Sequence, residues 1–156
     1  MMVSKILTLD DAAAMADLHG AAFSTPEAWS IDSFMDLFAH STTHAEGMII
    51  DKRLQALLVV QFVAGEADIL TLATAPAGRR RGFARQTLDG LEQRLRQSGL
   101  TKWLLDVAAD NAGAIAFYEK HGFQVDGRRS NYYKRLEGQR VDAILMSKPV
   151  GGQITK

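Results

Sequence analysis

The sequence predicts an α/β fold of the α+β kind: one mixed sheet with helices on both of its faces. Two observations predict it. Hydrophobic periodicity alternates between strand and helix in the order β-α-α-β-β-β-α-β-α-β-β, so a strand meander feeds two crossover helices. The chain has 156 residues, 47% of them apolar, which suits one domain with a real core. Residues 1–150 read as that domain and 151–156 as a loose tail.

Val3 to Leu7 reads as a short first strand. Thr8 with Asp11 makes a capping-box start for a helix running to Phe23, which Pro26 breaks. Ser30 is a good N-cap for a shorter helix with Ile31, Phe34, Met35 and Phe38 on one face. The pattern then changes to strands at Gly47 to Ile50, Leu54 to Ala64 and Ala67 to Thr74. Asp51-Lys52-Arg53 and Gly65-Glu66 supply the turns, and Pro76 stops the third strand. Leu88, Leu91 and Leu95 line one face of a helix from Gly82 to Gln97, with Gly99 past its end. Lys102 to Val107 is a strand and Asn111 to His121 a helix ended by Gly122. Phe123 to Tyr133 and Arg140 to Lys148 pair as a final hairpin.

Composition excludes several function classes. Lys plus Arg equals Asp plus Glu at 18 each, which argues against a nucleic-acid partner. The absence of cysteine excludes a disulfide framework, thiolate metal sites and a cysteine nucleophile. The N-terminus turns acidic too early for a signal peptide. No apolar run approaches the roughly 18 residues of a spanning helix. The expected setting is the cytoplasm, with no membrane partner.

The most informative segment lies between the third strand of the meander and the long helix. It runs Thr71-Leu-Ala-Thr-Ala-Pro-Ala-Gly-Arg-Arg-Arg-Gly-Phe-Ala-Arg. Free N–H groups and the positive dipole end make a helix N-terminus an anion site. Gly82 lets backbone approach a phosphate, Ala84 is small enough to do the same, and Phe83 lies between them. Arg79, Arg80, Arg81 and Arg85 add charge and bidentate donors. Arginines at a helix start oppose the dipole, and a bound pyrophosphate would offset that cost. The segment is neither a P-loop nor a dinucleotide fingerprint, because the required Gly-Lys-Ser/Thr and G-x-G-x-x-G are missing. A solvated basic turn is the plain alternative.

Arg79-x-x-Gly82-x-Ala84 resembles the Q/R-x-x-G-x-G/A signature of the GNAT acyltransferases. The resemblance implies that this turn holds the pyrophosphate of acetyl-CoA and that Leu72-Ala73-Thr74 pairs with the pantetheine arm. A second signature follows in the strand with Asp106, then Asn111 at a helix start, then Tyr118-Glu119-Lys120-x-Gly122-Phe123. Seven residues, about two turns, separate Asn111 from Tyr118 and put them on one helix face. Arg128-Arg-Ser-Asn131-Tyr132-Tyr133 and Asp142-Ala-Ile-Leu-Met146 resemble the tail of the RimI-type ribosomal-protein alanine N-acetyltransferases. The resemblance covers about residues 45–148 and implies a mixed, mostly antiparallel twisted sheet. It is looser in the N-terminal helices, through Ala28-Trp29-Ser30.

What the resemblance implies for chemistry is direct attack of an amine on the thioester of acetyl-CoA in a ternary complex, without metal. The acceptor it implies is a protein N-terminus, the alanine of the eighteenth small-subunit ribosomal protein. Tyr118 would face the sulfur and hydrogen-bond or protonate the thiolate; alternatively it is a buried core tyrosine. Asn111 would cap its helix and also bond the pantetheine. Asp106 stands where the family has a glutamate; one methylene shorter, it would act as base through a water, or be structural. A backbone N–H near Ala73 or Thr74 would stabilise the oxyanion. Trp29, Tyr132 and Tyr133 are candidates for a peptide groove or ordinary packing, and Phe117 and Phe123 for core. His40-Ser-Thr-Thr-His44 has a metal-pair spacing without a third ligand, so it reads as a polar loop. Two other functions fit the coenzyme turn: acetylation of a small amine such as an aminoglycoside or polyamine, and a non-catalytic acyl-CoA sensor.

Overall fold

The computed structural model describes residues 2–23, 28–135 and 137–151, so Pro26 and most of the 151–156 tail lie outside the described residues. Seven strands are present: β1 (Met2–Ile6), β2 (Thr43–Ile50), β3 (Arg53–Val63), β4 (Glu66–Thr74), β5 (Lys102–Ala108), β6 (Gln124–Lys134) and β7 (Arg140–Pro149). They form one sheet in the order β1-β2-β3-β4-β5-β7-β6. Every neighbouring pair is antiparallel except β4 with β5. The helices are α1 (Ala12–Ala22), α2 (Ile31–Phe38), α3 (Phe83–Arg96) and α4 (Ala112–Lys120).

Strand alternation divides the core between the two faces. Leu57, Val59 and Ala73 point to one side, where Met15 and Leu18 of α1 and Phe34 of α2 cover them. Leu58, Val60, Ile69, Trp103 and Leu105 point to the other, against Leu88, Leu91 and Leu95 of α3 and Tyr118 of α4. Truncating any of these three leucines to Ala would cost about 2–5 kcal/mol. Asp51 and Lys52 both take positive φ, 50° and 70°, which gives the β2–β3 hairpin the twist of a two-residue turn.

Three elements differ from expectation. The first helix is preceded by a 3₁₀ turn, Leu9–Asp11, where the Thr8 N–H donates to Asp11 Oδ2 at 2.8 Å. In α2 only Phe34 is fully buried, while Ile31 and Met35 are exposed; the packed side runs through Phe34, Leu37 and Phe38. β2 begins four residues before Gly47, so the expected polar loop ends inside a strand. His44 pairs with Val60 in register and meets Phe62 edge-on. Glu46 hides this strand in the sequence, because a charge interrupts the apolar pattern. It is fully buried, with Arg94 Nε of α3 2.8 Å from its Oε1 and the Ser4 hydroxyl of β1 donating to its Oε2. Gly90 makes room for this cluster: a Cβ there would lie 3.0 Å from Ser4 Oγ.

Candidate active site

The parallel pair β4–β5 stays in register only from Glu66↔Lys102 to Ile69↔Leu105. Beyond that point β5 turns to β7, which it follows as far as Ala108↔Ala143, while β4 keeps to β3 as far as Thr74↔Ala56. A register shift lies where the splay begins: Val59 faces Thr71 and Val60 faces Ile69, leaving Leu70 as the extra residue of a β-bulge. The two strands therefore open into a wedge whose sides carry unpaired backbone groups. The Ala75 N–H donates to Gln55 O at 2.9 Å. Alternation along the ladder then turns the polar groups of Ala73 toward β3 and those of Leu72 and Thr74 into the wedge. Thr74 thus directs its N–H into the wedge, and Ala73 directs its own toward β3.

The wedge opens into a cavity of about 510 Å³ lined by Leu72, Ala73, Thr74, Asn111, Phe117 and Tyr118 among others. Asn111 caps α4, its Oδ1 accepting the Ala114 N–H at 3.1 Å. Tyr118 is 7% exposed and held edge-on by Phe117 and Phe123 at 5.3 and 5.2 Å. Burial pushes its hydroxyl far above the ordinary tyrosine range, so it remains a donor at neutral pH. Phe123 is core, as expected, but Phe117 is only partly buried and lines the cavity.

The glycine-and-arginine turn forms the next stretch of the cleft, a hollow of about 490 Å³ lined by Arg79, Arg80, Gly82, Phe83, Ala84 and Arg85 together with Lys120 and His121. Gly82 is the residue before α3, at φ 82°, and nothing lies within 4 Å of where its Cβ would stand. A left-handed turn before a helix N-terminus leaves its first N–H groups facing the hollow. The arginines divide their tasks. Arg79 Nη2 donates to Ala22 O at 2.9 Å, tying the turn to the end of α1. Arg81 lies 5.1 Å over the Phe83 ring, and Arg80 takes positive φ at 65°. This fits a pyrophosphate, for which the hollow supplies space, backbone donors and cations.

Asp106 stands on the opposite face of the sheet from Tyr118, because Leu105 and Val107 point into the α3–α4 core. Asp68 of β4 shares that face, its register partner Leu104 lying two residues before Asp106. Desolvation and the Asp106 charge raise the Asp68 carboxyl above the ordinary range, and Arg129 opposes them. Desolvation and Asp106 likewise raise Tyr133, so these groups share one electrostatic environment. Deeper on that face, His19 of α1 is 2% exposed. The Trp29 N–H donates to its Nδ1 at 3.0 Å, so Nε2 carries the proton toward Thr71 Oγ1 at 2.9 Å. Trp29 stacks on the same ring at 5.0 Å. Tyr132 is exposed and meets Tyr133 edge-on at 5.1 Å.

Residues 13–123 match the Acetyltransferase (GNAT) family. The chain belongs to the GNAT acetyltransferase family. It is therefore an acetyltransferase, and acetyl-CoA is the family's acetyl donor. The "[Ribosomal protein bS18]-alanine N-acetyltransferase" of Salmonella typhimurium is 34% identical over 135 residues, 80% of this chain and 90% of that protein. The crystal structure of the ribosomal-protein-S18-alanine N-acetyltransferase from Escherichia coli superposes with a TM-score of 0.87 at 29% identity, over 100% of this chain and 99% of that one. The PaiA N-acetyltransferase of Thermoplasma acidophilum, solved with coenzyme A, shares the fold at a TM-score of 0.78 and 16% identity, over 96% of this chain and 99% of that one.

Sequence reasoning brought together the turn, Asn111 and Tyr118, and the structure joins them in one cleft. It missed Lys120 and His121 as lining residues of that cleft, and Asp68 and His19 on the other face of the sheet. Asp68 could have been found from the strand pattern, which places it outward on β4. His19 could not, since its partners Trp29 and Thr71 lie 10 and 52 positions away, outside its own helix.

Proposed function

We propose that this acetyltransferase moves the acetyl group of acetyl-CoA to the N-terminal α-amine of a protein, the alanine of ribosomal protein bS18, in the cytoplasm. The domain that does so spans residues 1–150. The observation that carries the acceptor is the 34% identity running through 90% of the Salmonella enzyme of that name. The wedge supports the chemistry. Leu72 and Thr74 offer the pantetheine a strand edge, and the turn from Arg79 to Arg85 takes the pyrophosphate. The thioester then reaches the mouth of the wedge, where the two faces of the sheet meet.

In this arrangement the amine approaches from the Asp106 face and the thiolate leaves toward Tyr118. The amine nitrogen bonds to the acetyl carbon and the carbon–sulfur bond breaks. Asp106 takes the amine proton through a water, while Tyr118 donates a hydrogen bond to the departing sulfur. Full proton transfer from Tyr118 is uphill, since burial raises it and a thiol ordinarily titrates near roughly 8.5. The Thr74 N–H faces the developing oxyanion. An α-amine, with a pKa near roughly 8, is easier than a lysine amine for so exposed a base as Asp106.

The test is mass spectrometry after incubation with acetyl-CoA, with an alanine-starting bS18 peptide offered against aminoglycosides and polyamines. Acetyl on the peptide α-amine is the expected result. Acetyl only on a small amine overturns the acceptor, and binding of acetyl-CoA without transfer to any amine overturns the enzyme reading in favour of a sensor.

A further inference from the structure

We infer that His19 is a positioning residue for the acetyl transfer: one nitrogen of its ring pins the bulge of β4 through Thr71, and the other holds the entry to α2 through Trp29. One side chain thereby sets the coenzyme strand against the helix layer of the acceptor face. The inference rests on the coenzyme placement proposed above, in which Leu72 and Thr74 offer the pantetheine a strand edge.

Strand alternation breaks at the bulge. Ile69 belongs to the α3–α4 core, and Leu72 packs against that core. Between them, Leu70 and Thr71 both face α1 and α2: Leu70 packs in that layer, and Thr71 meets His19. Side chains of an unbroken strand would alternate, so the extra residue reverses the phase of everything after it. That phase decides which backbone groups turn into the wedge. Were the bulge to move past Thr74, Ala73 would aim its polar groups there, and Leu72 and Thr74 would turn theirs toward β3. The ladder itself does not fix the bulge at Leu70, because an extra residue is left unpaired wherever it falls. The Thr71 hydroxyl does fix it, 2.9 Å from His19 Nε2.

The ring is held in one orientation. Phe23, Trp29 and Phe34 pack around it with centroids at 4.5, 5.0 and 5.6 Å. An apolar side chain would fill this space without the desolvation that an imidazole suffers. What histidine adds is two directed bonds from one rigid ring. Burial holds its titration down to about 4, so at neutral pH it keeps one acceptor and one donor. The acceptor, Nδ1, meets the Trp29 N–H at 3.0 Å, which leaves the donor for Thr71. Trp29 immediately precedes Ser30, whose hydroxyl caps α2 by accepting the Ser33 N–H at 3.1 Å. Thr71 immediately precedes Leu72. The ring therefore joins the first step of the coenzyme stretch to the first step of α2.

Thr71→Val tests this on the full chain, because valine keeps the branched shape and removes only the hydroxyl. Calorimetry with acetyl-CoA, and steady-state kinetics on whichever amine the wild-type protein acetylates, are read well below the melting temperature. Thr71→Val should weaken acetyl-CoA binding by about three- to tenfold, the worth of one neutral hydrogen bond. It should also lower kcat by about tenfold or more, because the Thr74 N–H moves with its strand. Thr71→Ser keeps the hydroxyl and should retain both values. His19→Asn, whose side-chain oxygen stands near Nδ1 but reaches no farther, should behave like Thr71→Val. His19→Gln, whose amide nitrogen stands near Nε2, should keep the acetyl-CoA affinity and raise KM for the acceptor instead. A merely structural histidine predicts lower melting temperatures with wild-type affinity and kcat throughout; that result overturns the inference and leaves the coenzyme placement standing. So does a serine variant that fails like the valine one, or identical profiles for the two His19 variants. Failure of the bS18 peptide as acceptor does not touch the comparison. A wild-type protein that binds no acetyl-CoA overturns the placement and this inference together.

Discussion

On the α3–α4 face of the wedge, Tyr118 is buried among aromatic rings and the turn beside it is built from contiguous residues. On the α1–α2 face, Asp106 and Asp68 are exposed, and the layer beneath them hangs on a buried histidine bridging two remote segments. The first face is made by local sequence and the second by tertiary meeting points. In the proposed reaction a thiolate leaving group of fixed identity needs one rigid donor, which the buried Tyr118 would provide. In that reaction the acceptor amine arrives from solvent as an ammonium and must lose a proton, a step that the exposed carboxylates of the other face would serve.

Tyr118→Phe separates the faces with the largest effect. It keeps the ring among Phe117 and Phe123 and removes only the hydroxyl. kcat should fall by about 10²–10³-fold, the worth of one donor at a site of developing charge, with acetyl-CoA affinity nearly intact. An unchanged kcat under conditions where chemistry limits the rate would remove this face from the reaction and leave it a binding surface.

Acid sharpens the contrast through stability. Burial holds His19 down to about 4 from an ordinary value of 6.5. A group whose folded value is depressed contributes stability that is complete above the unfolded value and is lost as pH falls toward the folded one. The protein should therefore lose up to ~3 kcal/mol between pH 6.5 and about 4 from this residue alone. Urea unfolding of wild type and His19→Gln across that window measures it, because the glutamine does not titrate. The gap between the two curves should close as pH falls; a constant gap means that His19 is not the titrating group.

The same contrast governs what the sequence reveals. The wedge follows from a strand, a glycine turn and a helix in succession, and Asn111 and Tyr118 follow from helical spacing, so residues 66–122 could be read as a site. Glu46 could not be read as a strand residue, because Ser4 and Arg94, which neutralise it, are 42 and 48 positions away. Trp29 likewise stays open in the sequence between a peptide groove and ordinary packing; in the fold it stacks on His19 and donates its backbone N–H to it. Spacing within one element encodes a face; a buried polar contact between distant elements leaves no periodic trace.

The two exposed carboxylates give the smallest effects and divide the acceptor face further. Asp106→Asn should lower kcat/KM on an alanine-starting peptide by no more than ~10²-fold, the low end for a general base, because it works through a water. The loss should be greatest below the pKa of the amine, where a proton must be removed, and should shrink above it, while Asp106→Glu should retain activity. Asp68 is placed to attract the ammonium rather than to take its proton: it lies on the stretch where β4 and β5 are still paired, one step behind the opening. Asp68→Asn should raise KM for the peptide about two- to fivefold, the range of a solvent-exposed charge pair, and leave kcat alone. The raised Asp68 carboxyl adds a sign. A raised carboxyl takes up its proton at higher pH than an ordinary one, so the Asp68 contribution to KM should fade as the solution is acidified toward the carboxylate range. Peptide kinetics from neutral pH downward on both variants decide between them. If Asp68→Asn lowers kcat with KM constant and Asp106→Asn does the reverse, the two carboxylates have exchanged roles, and the base stands on β4.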